Sequence, residues 1–224
     1  MSTQFGQNTE FYIQWRQRFS PELLTTKFTN GGGWKHVIIR SGDKPGKLYQ
    51  SCTALEIVMQ EADQNGFPKL YNSCTGSASH PAYDGFVERY GSSDFKLQNG
   101  RPAPYCLSSQ YSTSSFPPVG NCFGYASNDW FTYQIQVEIG PRVGDEFSNS
   151  YVTLLGSRQG QPSELIFHWG PYNLSAGDAA SDQSYGKIWL LPYNTGKDTA
   201  PVHPTAYTSY DELIISRSRI ADPK

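Results

Sequence analysis

Apolar and polar residues alternate along much of this chain, and the alternation predicts β-strands. Successive side chains of a strand point to opposite faces of its sheet, so one set is buried and the other is displayed. In residues 11–19 the apolar set is Phe11, Ile13, Trp15 and Phe19, and the polar set is Tyr12, Gln14, Arg16 and Arg18. A phenol, an amide and two planar cations are groups that bind carbohydrates and carboxylates.

Further strands are predicted where the same alternation, or a short apolar run, lies between Gly, Pro, Asn and Asp turns. The predicted strands are residues 12–19, 34–40, 54–60, 66–71, 86–90, 130–139, 151–155, 164–169, 187–191 and 213–217. Residues 53–63 also fit a short helix, and residues 21–26 predict one helical turn with Ser20 as its N-cap. Residues 91–128 predict a long ordered loop or a set of short edge strands. Many strands without a βαβ rhythm predict an all-β, two-sheet antiparallel sandwich.

Composition narrows the class of protein. A chain of 224 residues without a linker predicts a single domain spanning residues 1–224, and 14% aromatic residues suit a β fold. The net charge of −2 without a basic stripe argues against nucleic-acid binding. No apolar run is long enough to span a membrane. The first residues lack a signal pattern, so we expect an intracellular protein or a mature segment of a longer precursor.

The four cysteines bear on that choice. Their spacing contains no C-x-x-C pair of the kind used for zinc or thioredoxin chemistry. We expect two disulfides, Cys52–Cys74 and Cys106–Cys122, although four cysteines permit three connectivities and four free thiols are the alternative. Disulfides would favour a secreted protein.

The order of the segments resembles the concanavalin A-like lectin/glucanase jelly roll. The chain has an early Tyr/Gln/Arg strand, a Gly-Gly-Gly-Trp-Lys-His strand at 31–36, a long alternating strand at 130–139 and a closing strand at 210–216. The resemblance implies that one sheet curves into a concave glycan-binding groove. This fold often holds a structural calcium ion, but the chain has no Asp-x-Asp-x-Asp loop. We therefore assign no metal ligand and expect no cofactor other than such a calcium ion.

Within that superfamily, retaining glucanases have a Glu-x-Asp-x-(x)-Glu motif on one strand, which supplies a nucleophile and an acid. The nearest string here, residues 61–66, reads Glu-Ala-Asp-Gln-Asn-Gly and lacks the second glutamate. A hydrolase of that type is not expected.

The chain is closest in pattern to the polysaccharide lyases of the alginate and glucuronan lyase type. Residues 189–194, Trp-Leu-Leu-Pro-Tyr-Asn, resemble the alginate-lyase strand Phe-Lys-Ala-Gly-Val-Tyr-Asn, which places Tyr193 at the catalytic tyrosine. These enzymes cleave uronic-acid polymers by β-elimination, which needs a donor for the carboxylate, a base and an acid. The resemblance implies His36, Tyr193, Arg16 and Gln14 as catalytic residues. The chain lacks the Gln-Ile/Val-His tripeptide and the Arg-Ser/Thr-Glu-Leu-Arg motif of alginate lyases.

The expected substrate-binding residues are Tyr12, Arg18, Gln134, Gln136, Lys187 and Trp189. Each choice has an alternative: the two arginines could form ion pairs, His36 could be a hydrogen-bonded structural histidine, and His168 is a rival to it. We expect a secreted, monomeric lyase whose partner is an acidic polysaccharide. A non-catalytic carbohydrate-binding jelly roll, or a structural or adhesion module of a larger assembly, are the alternatives.

Overall fold

A computed structural model of the protein describes residues 4–41, 55–62, 66–72, 87–89, 93–95, 98–102, 121–144, 146–175 and 184–223. This part of the chain contains twelve strands and one short helix, α1 (Pro21–Thr25). The strands are β1 (Thr9–Phe19), β2 (Phe28–Ser41), β3 (Glu56–Ala62), β4 (Lys69–Asn72), β5 (Val87–Arg89), β6 (Ser93–Phe95), β7 (Trp130–Ile139), β8 (Arg142–Val143), β9 (Glu146–Arg158), β10 (Glu164–Ser175), β11 (Tyr185–Lys197) and β12 (Thr208–Ser216).

The strands form two antiparallel sheets. Sheet I has the order β10-β9-β7-β1-β12, with β8 paired to β9, and sheet II has the order β11-β2-β3-β4-β6-β5. The prediction of an all-β sandwich of two antiparallel sheets is confirmed. The strands predicted at residues 12–19, 34–40 and 130–139 correspond to β1, β2 and β7. Residues 56–62 form the strand β3, so the helical alternative for residues 53–63 is wrong there.

The core lies between the inner faces of the two sheets, and its members alternate along β1 and β7 as the sequence predicts. The apolar set of β1 is at most 1% exposed. Sheet I contributes Phe11, Ile13, Trp15, Phe19, Phe131, Tyr133, Ile135 and Val137, and sheet II contributes Trp34, Val37, Ile39, Ile57 and Met59. Because each of these strands has an apolar side, the sandwich is stabilised by burial of both inner faces.

The single helical turn begins where the sequence predicts. Oγ of Ser20 accepts a hydrogen bond from the backbone N–H of Leu23 at 3.3 Å, and Pro21 occupies the first helical position. The same Oγ accepts the N–H of Tyr207 at 3.0 Å. Ser20 therefore caps the helix and also attaches the segment that leads into β12.

A β-bulge in β2 decides which of its residues face outwards. Lys35 lies opposite Gln60 on β3, whereas Val37 lies opposite the preceding residue, Met59. The extra residue, His36, therefore lies inside together with Val37, and both are fully buried. Lys35 precedes the bulge on the outer face and is partly exposed.

Several predictions lie partly or wholly outside the described residues. Of the segment 91–128, residues 93–95 form the short strand β6 and residues 103–120 are not described. Cys122 is described, but Cys52, Cys74 and Cys106 are not, so the two disulfides stay a prediction. The single-domain assignment also stays a prediction. Among the described residues, no helix has the length and apolar character needed to cross a membrane.

Candidate functional site

The residues predicted to form one site lie on different sides of the sandwich. The polar set of β1, together with Gln134 and Gln136 of β7, occupies the outer face of sheet I. Lys187, Trp189 and Tyr193 belong to β11, at the edge of sheet II. The outer faces of two packed sheets point away from each other. The sequence-based constellation is therefore corrected: its members do not converge on one groove.

His36 lies between the sheets, and its partners fix its tautomer. The indole N–H of Trp15 donates to Oε1 of Gln17 at 3.2 Å, which identifies that amide atom as the acceptor oxygen. Nδ1 of His36 lies 2.8 Å from the same oxygen, so Nδ1 has the proton and donates it. Nε2, which lies 2.7 Å from the hydroxyl of Tyr125, is then the acceptor.

Burial keeps both ends of this contact neutral. It holds the pKa of His36 well below 6.5 and the pKa of the Tyr125 hydroxyl well above 10. The His36 side chain has no exposed surface and both of its ring nitrogens are hydrogen-bonded. This is the geometry of a hydrogen-bonded structural histidine, so the site proposed below does not use His36 as a catalytic acid or base.

The outer face of sheet I is covered in its middle by a strap, which we define as residues 217–223. Gln14 and Gln134 lie opposite each other on β1 and β7. Nε2 of Gln134 donates to the carbonyl of Ile220 at 2.9 Å, and its Oε1 accepts the Ile220 N–H at 3.2 Å. Nε2 of Gln14 donates to the carbonyl of Ala221 at 3.3 Å. Gln14 is 4% exposed and Gln134 is 2% exposed, so neither amide is accessible to a glycan.

The far end of the strap is attached to the turn between β9 and β10. The carboxylate of Asp222 accepts the backbone N–H of Ser163 at 3.0 Å and also the Ser163 hydroxyl. Partial burial alone would raise the pKa of Asp222, but the Ser163 hydrogen bonds lower it below its usual value. The strap thus crosses β1 and β7. Hydrogen bonds hold it at Gln14, at Gln134 and, at its far end, at Ser163.

The two arginines of β1 contact groups of this chain. Both guanidinium groups lie over the ring of Trp130, at 5.1 Å for Arg16 and 5.2 Å for Arg18. Arg16 also forms an ion pair with Glu212 at 3.5 Å. The ion-pair alternative holds for Arg16, and the geometry of a carboxylate clamp is not formed here.

Tyr12 and Gln136 are held by carboxylates. The Tyr12 hydroxyl donates to Glu10, and Nε2 of Gln136 donates to Glu10 at 2.6 Å and to Glu138 at 2.9 Å. Burial, followed by the hydrogen bond to Glu10, raises the pKa of Tyr12 to about 12. Since Glu10 and Glu138 lie opposite each other on β1 and β7, this end of the face is negatively charged and does not suit an acidic glycan.

The outer face of sheet II has a different arrangement, which the sequence reading missed. Four strands place residues directly opposite one another in a row: Tyr193 on β11, Lys35 on β2, Gln60 on β3 and Lys69 on β4. We call this the Lys35 row. Neighbours in such a row have Cβ atoms about 4.5–5.5 Å apart. Lys35 and Gln60 are partly exposed and Lys69 is buried.

A second group on β11 lies further along the same face. Trp189 packs against Ile38 of β2 and Val58 of β3, which are both buried. The guanidinium of Arg40 lies 5.1 Å from the Trp189 ring and Nζ of Lys187 lies 5.9 Å from it. The attraction between these cations and the face of the tryptophan ring holds the side chains in place. Lys187 and Trp189 thus lie together on the strand that contains Tyr193.

Three residues of the Lys35 row, Lys35, Gln60 and Lys69, were missed for want of a signal in the sequence. Lys35 stands next to His36 in the sequence, and strict alternation cannot tell which of them faces outwards when a bulge intervenes. Gln60 ends the strand predicted at residues 54–60 and Lys69 begins β4, and periodicity is weakest at the ends of short strands. Among the described residues, no group of three or more His, Cys, Asp or Glu side chains is placed to hold a metal ion.

No protein-family model and no curated protein matches this chain. Among solved structures, the marine PL-14 alginate lyase from Aplysia kurodai has a TM-score of 0.54 and 12% identity, over 94% of this chain and 70% of that one. The endo-β-1,4-glucuronan lyase from the fungus Trichoderma reesei has a TM-score of 0.47 and 10% identity, over 94% and 69%. Alginate lyase Aly36B has a TM-score of 0.45 and 12% identity, over 96% and 72%. The chain therefore has the jelly-roll fold of the PL-14 alginate lyase, and the resemblance inferred from its sequence pattern is confirmed at the level of the fold.

Proposed function

We propose that the protein is a polysaccharide lyase that cleaves an acidic, uronate-containing polysaccharide by β-elimination at the outer face of sheet II. The observation that supports this site is the Lys35 row, in which a tyrosine position, a lysine and an amide follow one another across neighbouring strands. Because the chain shares its fold with an alginate lyase, we assign β-elimination to this row.

Each member of the row has a role in the proposed reaction. The Gln60 amide and the Lys35 ammonium bind the uronate carboxylate, which makes the proton on the adjacent carbon more acidic. Tyr193 removes that proton as phenolate. The electrons form a carbon–carbon double bond while the bond to the leaving sugar oxygen breaks, and the Tyr193 phenol returns its proton to that oxygen.

The cations explain how a tyrosine acts as a base in this proposal. The ordinary pKa of tyrosine is about 10, so a phenolate is scarce near neutral pH unless a positive charge lies beside it. Lys35 is at the neighbouring register position to Tyr193 and supplies that charge in this proposal. Lys187 and Trp189 supply a cation and a ring for a neighbouring sugar.

The proposal also includes the expected partner, oligomeric state, localisation and disulfide pairs. The partner is a soluble acidic polysaccharide, the enzyme acts as a monomer, and it is secreted with the cysteine pairs Cys52–Cys74 and Cys106–Cys122. Nothing in the Lys35 row requires a metal ion, because in this proposal the ammonium of Lys35 and the amide of Gln60 bind the uronate carboxylate.

The experiment is an incubation with alginate, glucuronan, pectate and glycosaminoglycans, followed by the ultraviolet absorbance of the unsaturated product. We expect one of these polymers to give product, and we expect Tyr193→Phe and Lys35→Met to lower kcat by about 100-fold or more. Gln136→Ala, on the opposite face, is the matched control and should retain activity. No product from any polymer, or full activity of Tyr193→Phe, would overturn the proposal.

A non-catalytic carbohydrate-binding module is the second candidate, and the burial of His36 favours it, because the row then has no histidine for proton transfer. Such a module would be retained on an immobilised acidic polymer without releasing product. Lys35→Met would weaken that retention, whereas Tyr193→Phe would change it little. This pattern separates binding from catalysis.

A further inference from the structure

A cavity of about 610 Å³ opens between the edge strands of the two sheets, β11 and β12. Its volume is within the range of about 300–1,000 Å³ that is usual for small-molecule sites. It lies between the sheets, whereas the Lys35 row lies on the outer face of sheet II. Of the residues that line it, the proposed lyase reaction uses only Lys187.

The interior of the cavity is apolar and its walls are fixed. Phe11 and Ile13 of β1, Ile39 of β2 and Ile188 of β11 line it. One end is closed by Phe5, whose ring stacks on Phe11 with ring centres 4.5 Å apart. The backbone of Phe5 also exchanges two hydrogen bonds of 2.8 Å with Tyr185, which joins the N-terminal segment to β11. A preformed apolar site of this kind suits an apolar ligand.

The rim of the cavity exposes apolar side chains that would be buried elsewhere in the sandwich. Ile215 of β12 lies directly opposite Ile13 of β1, yet Ile215 is 51% exposed and Ile13 is 1% exposed. Leu213, also on the rim, is 45% exposed. Sheet II ends at β11 and does not extend over β12. The inner side of β12 is therefore left open to a ligand rather than to another strand of the core.

A positive charge stands at the mouth. The guanidinium of Arg217 lies 5.2 Å from the Phe5 ring, and in the described part of the chain no carboxylate forms an ion pair with it. A cation beside an apolar trough is complementary to a carboxylate on an apolar chain.

Features of β12 disfavour the addition of a strand from a second copy or a peptide. A bulge interrupts its pairing with β1, and Glu212 in the bulge has a positive φ of 49°. Asp211 and Glu212 on one side and Arg217 on the other flank the apolar residues. Bulges and charges are the devices by which edge strands avoid pairing with other chains.

We propose that this cavity binds a free amphiphilic carboxylate, with its acyl chain in the trough between β11 and β12 and its carboxylate at Arg217. The ligand would cover Leu213 and Ile215. The site shares only Lys187, one of its lining residues, with the proposed polysaccharide reaction.

The test is a calorimetric titration with monomeric dodecanoate, below its micelle concentration, with dodecyltrimethylammonium and butanoate as comparators. We expect one dodecanoate per chain, and affinities for the cationic amphiphile and the short carboxylate that are weaker by about tenfold or more. Arg217→Gln should weaken dodecanoate by about tenfold and leave the cationic amphiphile unchanged. Leu213→Trp, which fills the mouth, should abolish binding.

Equal affinity for both head groups, or an unchanged affinity in Arg217→Gln, would overturn the carboxylate assignment. Unchanged binding in Leu213→Trp would overturn the location, and Ile215→Asp gives a second measurement there should the tryptophan variant fail to fold. Binding only to anionic phospholipid vesicles would mean a membrane surface instead. Concentration-dependent self-association that Ile215→Asp abolishes, with no dodecanoate bound, would mean that a second copy covers the rim. Urea unfolding of each variant controls for folding.

Discussion

Nδ1 of His36 donates a hydrogen bond of 2.8 Å to Oε1 of Gln17 in the fully buried interior between the two sheets. Nε2 of Gln17 in turn donates to Oγ1 of Thr208 at 3.0 Å. The pair therefore connects β2 of sheet II to β1 and β12 of sheet I. Because these polar groups are satisfied within the core, they add specificity to the packing of the two sheets.

Replacement of His36 by Gln should change the pH dependence of stability. The pKa of His36 is held well below 6.5 in the folded protein, whereas the unfolded chain has the ordinary value. Below about pH 6.5 the unfolded chain binds a proton at this histidine and the folded protein does not, so the free energy of unfolding falls as the pH falls. The loss reaches about 1.4 kcal/mol per pH unit. Urea unfolding at neutral and at mildly acidic pH measures it.

We expect His36→Gln to be less stable than the wild type near neutral pH, and we expect the difference to shrink as the medium is acidified. The exposed His168, whose Nδ1 lies 2.9 Å from Oγ1 of Thr153, provides a matched control. His168→Gln should keep the acid-dependent loss of the wild type. A difference between His36→Gln and the wild type that is the same at every pH would contradict the assignment of a neutral, buried His36.

The two-sheet fold could be predicted from the sequence because alternation is a local property. In β1 and β7 the apolar residues recur at every second position, and Phe11, Ile13 and Phe131 are at most 1% exposed. The capped turn at Ser20 was equally local. These features require no knowledge of which strands are neighbours.

The candidate site could not be predicted in the same way, because it depends on register and sheet order. Gln14 and Tyr193 belong to different sheets, and only the strand order shows this. A single bulge at His36 exchanges the expected outward residue for Lys35. The strap that covers Gln134 comes from a distant part of the chain, because Ile220 follows Gln134 by 86 residues. None of these three facts leaves a periodic trace in the sequence.

Removal of the Gln134 side chain should release the strap. Gln134 makes two hydrogen bonds to the backbone of Ile220, at 2.9 Å and 3.2 Å. With a net contribution of about 0.5–1.5 kcal/mol for each bond, Gln134→Ala should lower the free energy of unfolding by about 1–3 kcal/mol. The amide of Ile220 should lose its protection at the same time. Hydrogen exchange of residues 217–223 together with urea unfolding measures both effects.

Gln136→Ala is the matched control for the strap, because Gln136 lies two residues along the same strand and contacts Glu10 and Glu138 instead. It should leave the exchange of Ile220 unchanged. Protection of Ile220 that persists in Gln134→Ala would show that Asp222 and Ser163 hold the strap without the amide, and would contradict the prediction.

Neutralisation of Glu10 should lower the pKa of Tyr12. Burial and the hydrogen bond to Glu10 together raise that pKa to about 12, so the phenol stays protonated after the unfolded chain has begun to ionise near pH 10. The wild type should therefore lose stability as the pH rises from 10 towards 12. In Glu10→Gln the hydrogen bond to a carboxylate and its charge disappear, and burial together with the charge of Glu138 keeps the pKa above 10. Phenolate absorbance, taken as the difference between each protein and its Tyr12→Phe counterpart, measures the titration. Glu138→Gln removes a weaker influence on Tyr12 and should shift the titration less than Glu10→Gln; an equal shift in both variants, or a wild-type Tyr12 that titrates like a free tyrosine, would show that the Glu10 contact does not control this phenol.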